Sequence, residues 1–371
     1  MSFYIAGLYT LTRSKNNRSF FTLLLSSFAF DAALSVAFFY FVPYVFITPK
    51  VVLFIDLGIT VVLLILWRAF YNSAISTPPR NIAFIGSGKE IDEIMADIAR
   101  HPQQGFRTAL HIPDETHIGS LYELFRRHEV DIVAVETDYR NAPELAKNLF
   151  SCLSLHIQFF DFVDFYEQYF QKIPLAAIDR AWFLVNMNET GKILFSFFKR
   201  GIDIIIALIL AVLALFLTPF IVAAVLLESG RPLFFSQMRV GKLGNPFRIH
   251  KFRTLRKEND DATVTKVGAF LRATHLDEIP QLWNILKGEM SFVGPRPEQV
   301  PIVDELKKRV SFYEERLLVR PGITGWAQLH EPRARAEDAL AKLQYDLFYI
   351  KNRSFLLDAE IIVKTIRLLL P

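Results

Sequence analysis

Residues 199–228 read KRGIDIIIALILAVLALFLTPFIVAAVLLE, and their arrangement decides how the rest of the chain is placed. Two cations, Lys199 and Arg200, introduce Ile202–Leu227, the longest apolar segment, broken once by Thr218-Pro219. A residue before proline is pushed out of helical geometry, and proline removes one helix hydrogen bond, so a sharp bend is expected there. Thr218 would cap the second half or satisfy a freed carbonyl. Downstream lie Arg231, Arg239, Lys242, Arg248, Lys251, Arg253, Arg256 and Lys257. Basic residues on both sides keep both ends on the cytoplasmic face, which a helix–break–helix re-entrant segment at 202–227 satisfies better than a crossing.

The composition agrees with a membrane protein. Of 371 residues 52% are hydrophobic and 35 are Phe, high for a soluble chain. The net charge of +4 suits anionic lipid or phosphorylated substrates and is too small to argue for nucleic acid. The single cysteine, Cys152, excludes an internal disulfide and a cysteine-built zinc site, as in a reducing, cytosol-facing protein. Residues 1–19 lack the pattern of a signal peptide, since Arg13, Lys15 and Arg18 follow a short mixed stretch.

Upstream, 20–47 and 51–67 are apolar runs interrupted by Asp31, Pro43 and Asp56. They read as a transmembrane helical hairpin within 1–76, turning at Thr48-Pro49-Lys50, with Arg13, Lys15, Arg18, Arg68 and Arg80 holding both ends in the cytoplasm. After Thr77-Pro78-Pro79 the pattern becomes that of a Rossmann-like α/β domain over 77–185. Strands are expected at Asn81–Ile85 and Asp131–Val135, with helices after Gly86-Ser87-Gly88 and at 119–128. Ile91 fills the place of the third glycine of a dinucleotide fingerprint, which favours a structural or oligomerising module over a nucleotide-binding one. Residues 186–198 are read as a connector, and 199–371 as the catalytic domain, mainly α, carrying the re-entrant helix.

That last domain holds the chemistry. Phe247–Thr254 alternates basic and apolar residues like a strand, and its cations suit either anionic headgroups or a diphosphate. In 274–297, Asp277-Glu278 opens what reads as a helix with Ile279, Leu282, Trp283, Ile285 and Leu286 as its apolar face. Gly288 ends it, and Gly294-Pro295-Arg296-Pro297 forms a stiff turn holding one arginine. Adjacent helical acids point about 100° apart, so each has its own partner: one attacks or binds metal while the other orients it or relays a proton. Mg²⁺ on such a carboxylate and on diphosphate oxygens would offset their repulsion. The plain alternative is two acids interacting with a helix dipole. Two amphipathic helices close the chain, at 336–352 and 355–370, and either the membrane surface or the domain core would take their apolar faces.

The ordered stretches Phe234–Gly241, Lys251–Thr254, Leu276–Asn284, Val293–Pro297 and Arg320–Gln328, after the Lys199-Arg200 start, resemble the bacterial sugar transferases, the monotopic polyprenyl-phosphate phosphoglycosyl transferases. The layout is similar to the long form of that family. The resemblance implies transfer of a sugar 1-phosphate from a UDP-sugar to undecaprenyl phosphate at the cytoplasmic face of the bacterial inner membrane, with UMP released, as a first step of surface-polysaccharide synthesis. It makes Asp277 the nucleophile and Mg²⁺ ligand, Glu278 its acid/base partner and Arg296 a phosphate contact, and it places Arg320 in the loop that closes over the nucleotide-sugar; Lys251 and Arg253 of the basic strand are the further phosphate-binding candidates. A homodimer and downstream glycosyltransferases are the associations expected beyond the bilayer. A non-catalytic scaffold of polysaccharide assembly is the competing expectation, against which the joint presence of these residues weighs. The sequence departs from the family pattern in three places. His275 replaces the usual serine, leaving Thr274 as the candidate cap; Glu289 replaces aspartate; and two N-terminal membrane helices are legible where four are usual.

Overall fold

The computed structural model describes Ala32 and residues 50–74, 78–113, 121–136, 142–187, 190–258, 261–332 and 338–369. The chain divides into two units, Met1–Tyr169 and Phe170–Pro371. The first apolar run of the expected hairpin, 20–47, lies outside the described residues. The second forms part of helix α1, Lys50–Ala74.

The first unit is built on four parallel strands, β1 (Arg80–Ile85), β2 (Phe106–Ile112), β3 (Ile132–Val135) and β4 (Gln158–Asp161), in the order β2-β1-β3-β4. A parallel sheet is covered on both faces, and Ile82, Ala83, Phe84 and Ile85 are accordingly fully buried. Helix α2, Lys89–Arg100, turns Ile91, Ile94 and Ile98 inward at helical spacing. Each buried isoleucine contributes about 1.5–3 kcal/mol. Helices α3 (Leu121–Arg127) and α4 (Pro143–Ser151) add Leu121, Phe125 and Leu145 to the core. Helix α5, Phe162–Phe170, begins directly after β4. The glycine turn after β1 is filled from within: the Glu136 carboxylate accepts hydrogen bonds from the Ser87 and Gly88 amides, each at 3.0 Å.

In the second unit a short helix α6, Arg180–Asn186, precedes α7, Ile193–Ser229. Helix α7 has 37 residues, which at 1.5 Å per residue makes it about 55 Å long. It starts inside the stretch read as a connector. Its buried residues are Asp203, Ala207, Ala214, Ile221 and Val225, a single narrow stripe with small side chains at its centre. The other faces stay bare, with Leu215 71% and Phe220 76% exposed. Among the described residues it is the one helix long and apolar enough to cross a membrane, and only 17% of its most apolar window is buried. A core helix of a soluble protein would be mostly covered.

Helical hydrogen bonding runs on through Thr218-Pro219, so the apolar segment is one helix with Pro219 inside it rather than two helices separated by a gap. The Thr218 hydroxyl donates to the Ala214 carbonyl at 2.7 Å, a backward bond of the kind that bends helices.

The domain elements pack along the buried stripe. Strands β5 (Phe234–Val240) and β6 (Pro246–Phe252) form an antiparallel hairpin, and Phe247 and Ile249 meet Ala207 and Ala214. A second hairpin, β7 (Leu255–Glu258) with β8 (Asp261–Val264), leads into α8, Lys266–Ala273. Leu271 of α8 and Phe252 of β6 pack on Ile221 and Val225. Then come α9 (Leu282–Lys287), β9 (Ser291–Val293), α10 (Val300–Arg309), β10 (Gly322–Thr324) and α11 (Trp326–His330). Strands β9 and β10 are parallel, and a Cβ at Gly322 would lie 2.2 Å from the Gly294 amide nitrogen, so only glycine admits this approach. Helices α12 (Ala339–Asn352) and α13 (Phe355–Leu369) finish the chain. Their Leu343, Leu347, Ile350 and Ile361 are fully buried, which places both against the domain core.

Candidate active site

Asp277 and Glu278 lie in a 3₁₀ turn, Leu276–Gln281, where an α-helix was expected. Pro280 inside that turn has no N–H to donate, so regular α-helix begins only at Leu282. Of the expected apolar face, Leu282 and Ile285 are buried, whereas Trp283 is 57% exposed. Thr274 is no N-cap here. Its hydroxyl bonds back to the Phe270 carbonyl at 2.8 Å and closes α8. His275 takes a left-handed conformation, φ 54°, turning the chain between α8 and the acids.

The two carboxylates are buried, yet their surroundings differ. Period-two alternation puts Lys251 on the side of β6 that carries Phe247 and Ile249, facing the acids. Its ammonium donates to Glu278 Oε1, and Arg296 Nη2 stands 3.7 Å from the same oxygen. Burial pushes the Glu278 carboxyl up, but Lys251 and Arg296 outweigh it and hold the group below the usual glutamate value. For Asp277 burial dominates; Lys251 opposes it, Glu278 reinforces it, and the carboxyl is raised. Among the described residues no hydrogen bond reaches the Asp277 oxygens. One acid is thus locked in a cation pair while its neighbour is uncommitted.

The Arg296 turn is clamped by its carbonyls. Arg239 Nη1 donates to Pro297 O at 3.1 Å, and Arg316 Nη2 donates to Arg296 O at 3.0 Å. Arg316 is itself fixed by Asp346, 2.8 Å away, and by Tyr313. A cavity of about 700 Å³ opens beside the turn, lined among others by Arg239, His275, Glu278, Arg296, Glu298 and Lys342. Small-molecule sites fall in this size range.

The other sequence candidates sit apart. Arg253 is occupied by the Leu255 and Arg231 carbonyls, at 2.7 and 2.9 Å. Arg320 donates through Nε to Gly288 O at 2.9 Å and does not line the large cavity. Arg200, which opens the apolar segment in the sequence, donates to the Ile285 and Leu286 carbonyls at 2.5 and 2.8 Å and so closes the C-terminal end of α9. Arg239, Arg316 and Asp346 were also missed. Arg239 stood within the quoted Phe234–Gly241 stretch, while the Arg316–Asp346 pair carries no local signal.

For a metal, no group of three or more His, Cys, Asp or Glu side chains comes together among the described residues. The described residues thus form no protein-only cage. Magnesium binds through one or two carboxylates with substrate phosphates and water, and the uncommitted Asp277 carboxylate fits that habit.

The family described as bacterial sugar transferase matches residues 194–371. The UDP-N-acetylgalactosamine-undecaprenyl-phosphate N-acetylgalactosaminephosphotransferase of Aeromonas hydrophila is 43% identical over 203 residues, 50% of this chain and 48% of that one. The UDP-glucose:undecaprenyl-phosphate glucose-1-phosphate transferase of Escherichia coli is 40% identical over 182 residues, 45% of this chain and 39% of its own. These matches therefore span about half or less of those relatives. The exopolysaccharide production protein PSS of Rhizobium leguminosarum is 38% identical over 189 residues and is covered to 92% of its length. The matched region holds α7, the locked and free carboxylates and the clamped arginine turn, and through it the chain belongs to the bacterial sugar transferase family.

Proposed function

We propose that the protein transfers a sugar 1-phosphate from a UDP-sugar to undecaprenyl phosphate and releases UMP. The observation that carries this reading is the unequal pair: a buried, uncommitted Asp277 beside a Glu278 fixed by Lys251 and Arg296. An Asp277 oxygen attacks the phosphorus that bears the sugar. The bond from that phosphorus to the UMP oxygen breaks, leaving a phosphosugar–aspartate. An oxygen of undecaprenyl phosphate then attacks the same phosphorus, forming the lipid diphosphate and restoring the Asp277 carboxylate. Depressed in pKa, Glu278 stays ionised; it holds Lys251 and Arg296 beside the reacting phosphates and accepts a proton from the incoming lipid phosphate when that group is protonated. Asp277 would hold Mg²⁺, which when bound supplies charge neutralisation of the diphosphate.

A kink at Pro219 would let helix α7 enter the bilayer and return both flanks to the cytoplasmic face of the inner membrane, its buried stripe seating the catalytic layer at the headgroups. Residues 1–76 would add a membrane hairpin. The relatives' names differ in the sugar they specify, so the sugar is left open.

The test is direct. Membrane-embedded protein is incubated with radiolabelled UDP-sugars, Mg²⁺ and undecaprenyl phosphate, beside Asp277→Asn. The parent should release UMP and label the lipid, and the variant neither. Undiminished turnover by the variant would overturn the assignment of the nucleophile. A cysteine placed near Gly230 should react only with reagents on the cytoplasmic side, and labelling from outside would refute re-entry.

A further inference from the structure

At the head of α7, away from the large cavity, lies a second polar recess of about 50 Å³. That is room for a few waters or for one phosphate group. Lys199, Lys242, Arg320 and Arg353 reach it, and Asp203 is the one acid on its wall. Asp203 is engaged by the Phe292 amide at 3.3 Å. Lys199 bonds Asp358 at 2.5 Å, and that carboxylate also accepts from the Tyr349 hydroxyl at 2.8 Å. Counting Asp358, four cations face two carboxylates, and the guanidinium of Arg200 meets Gly288 alongside that of Arg320. The recess is therefore electropositive.

An independent observation identifies what is missing. Ser291 lines the recess, is 1% exposed, and its hydroxyl has no hydrogen-bond partner. A buried hydroxyl left unpaired costs free energy that a ligand oxygen would relieve. We propose that this recess binds a phosphate group, with the Ser291 hydroxyl donating to it and Arg320 and Lys199 balancing its charge. Arg320 thereby has a phosphate to contact other than the one beside Glu278. Because the recess sits where the apolar run of α7 begins, the phosphate of an anionic lipid headgroup and a soluble phosphate can both reach it, and basic pockets at that depth recognise anionic headgroups. The site does not depend on the transfer reaction.

The test uses the full chain in phosphatidylcholine nanodiscs and follows hydrogen exchange of the 286–296 segment. Inorganic phosphate is added in one arm; in another, part of the lipid is replaced by phosphatidylglycerol. Protection by either probe is the expected result, and which probe protects names the source. Ser291→Ala breaks no bond present in the fold and should keep its thermal stability while weakening phosphate about tenfold, the effect of one hydrogen bond to a charged group. Lys242→Glu, an exposed change at the mouth, should weaken it as well. Arg296→Gln, which alters the large cavity, should leave the protection in place. No protection by either probe would overturn the proposal. So would protection that survives Ser291→Ala and disappears in Arg296→Gln, since the phosphate would then be acting at the large cavity.

Discussion

Removing Lys251 should damage stability and shift the pH profile together. Glu278 is 7% exposed, so a charge there without its cation pays most of its desolvation penalty. Breaking a buried ion pair at one partner costs about 3–5 kcal/mol. Lys251 is 20% exposed and Arg296 remains 3.7 Å from the carboxylate, which places Lys251→Met at the low end, about 3 kcal/mol. For a unit of this size that is a fall in Tm of about 6–12 °C. Lys251 also holds down the pKa of both acids, so its loss raises both, and the acid limb of kcat/KM should move to higher pH. Adding Glu278→Gln removes the stranded charge and should recover most of the stability without restoring transfer. Thermal proteolysis in nanodiscs and the pH profile of UMP release measure the two effects. If Lys251→Met melts with the parent, or the double variant is as unstable as the single, the ion-pair reasoning is refuted.

Three further outcomes follow from the same geometry. Asp277→Asn should melt higher than the parent, by on the order of 1 kcal/mol, because it removes a buried charge that the fold does not stabilise; an unchanged or lower melt contradicts this. Gly322→Ala should cost about 3 kcal/mol or more, read by thermal proteolysis, since its Cβ meets the Gly294 backbone at 2.2 Å and the strand pair must part. In acid titration the two carboxylates act in opposite directions. Glu278, depressed when folded, contributes stability that is fully present above about pH 4.5 and is lost as pH falls through its folded pKa. Asp277, raised when folded, imposes a penalty above its folded pKa that is gone below about pH 3.8. Glu278→Gln should therefore flatten the acid unfolding curve, and Asp277→Asn should steepen it.

The sequence showed most where its signals are local. The short apolar run of Asn81–Ile85 and the alternation of Phe247–Thr254 gave the strands, and the apolar length of 202–227 gave the helix. Two prolines show how far a local reading reaches. Pro219 divides the apolar run in the sequence, and one helix spans both halves, with the Thr218 hydroxyl bonded one turn back. Pro280 lies inside an apolar periodicity that reads as α-helix, yet it holds the acids in a tighter turn. Long-range partners were invisible. Arg316 and Asp346 are 30 residues apart, 346 − 316, and nothing in their spacing joins them. Trp283 fell on the expected buried face because a 3.6-residue period was carried back through a turn that does not have it.

The first unit's glycine turn can be viewed as a binding equilibrium that the chain has already won. Glu136 reaches 48 residues back to the Gly88 amide with a carboxylate on donors that commonly hold a phosphate. A ligand attached to its own receptor competes at an effective concentration of millimolar or more, however dilute the protein. A free nucleotide at micromolar levels would have to displace a rival that never diffuses away. The module is self-liganded: its own carboxylate occupies the amides of the turn.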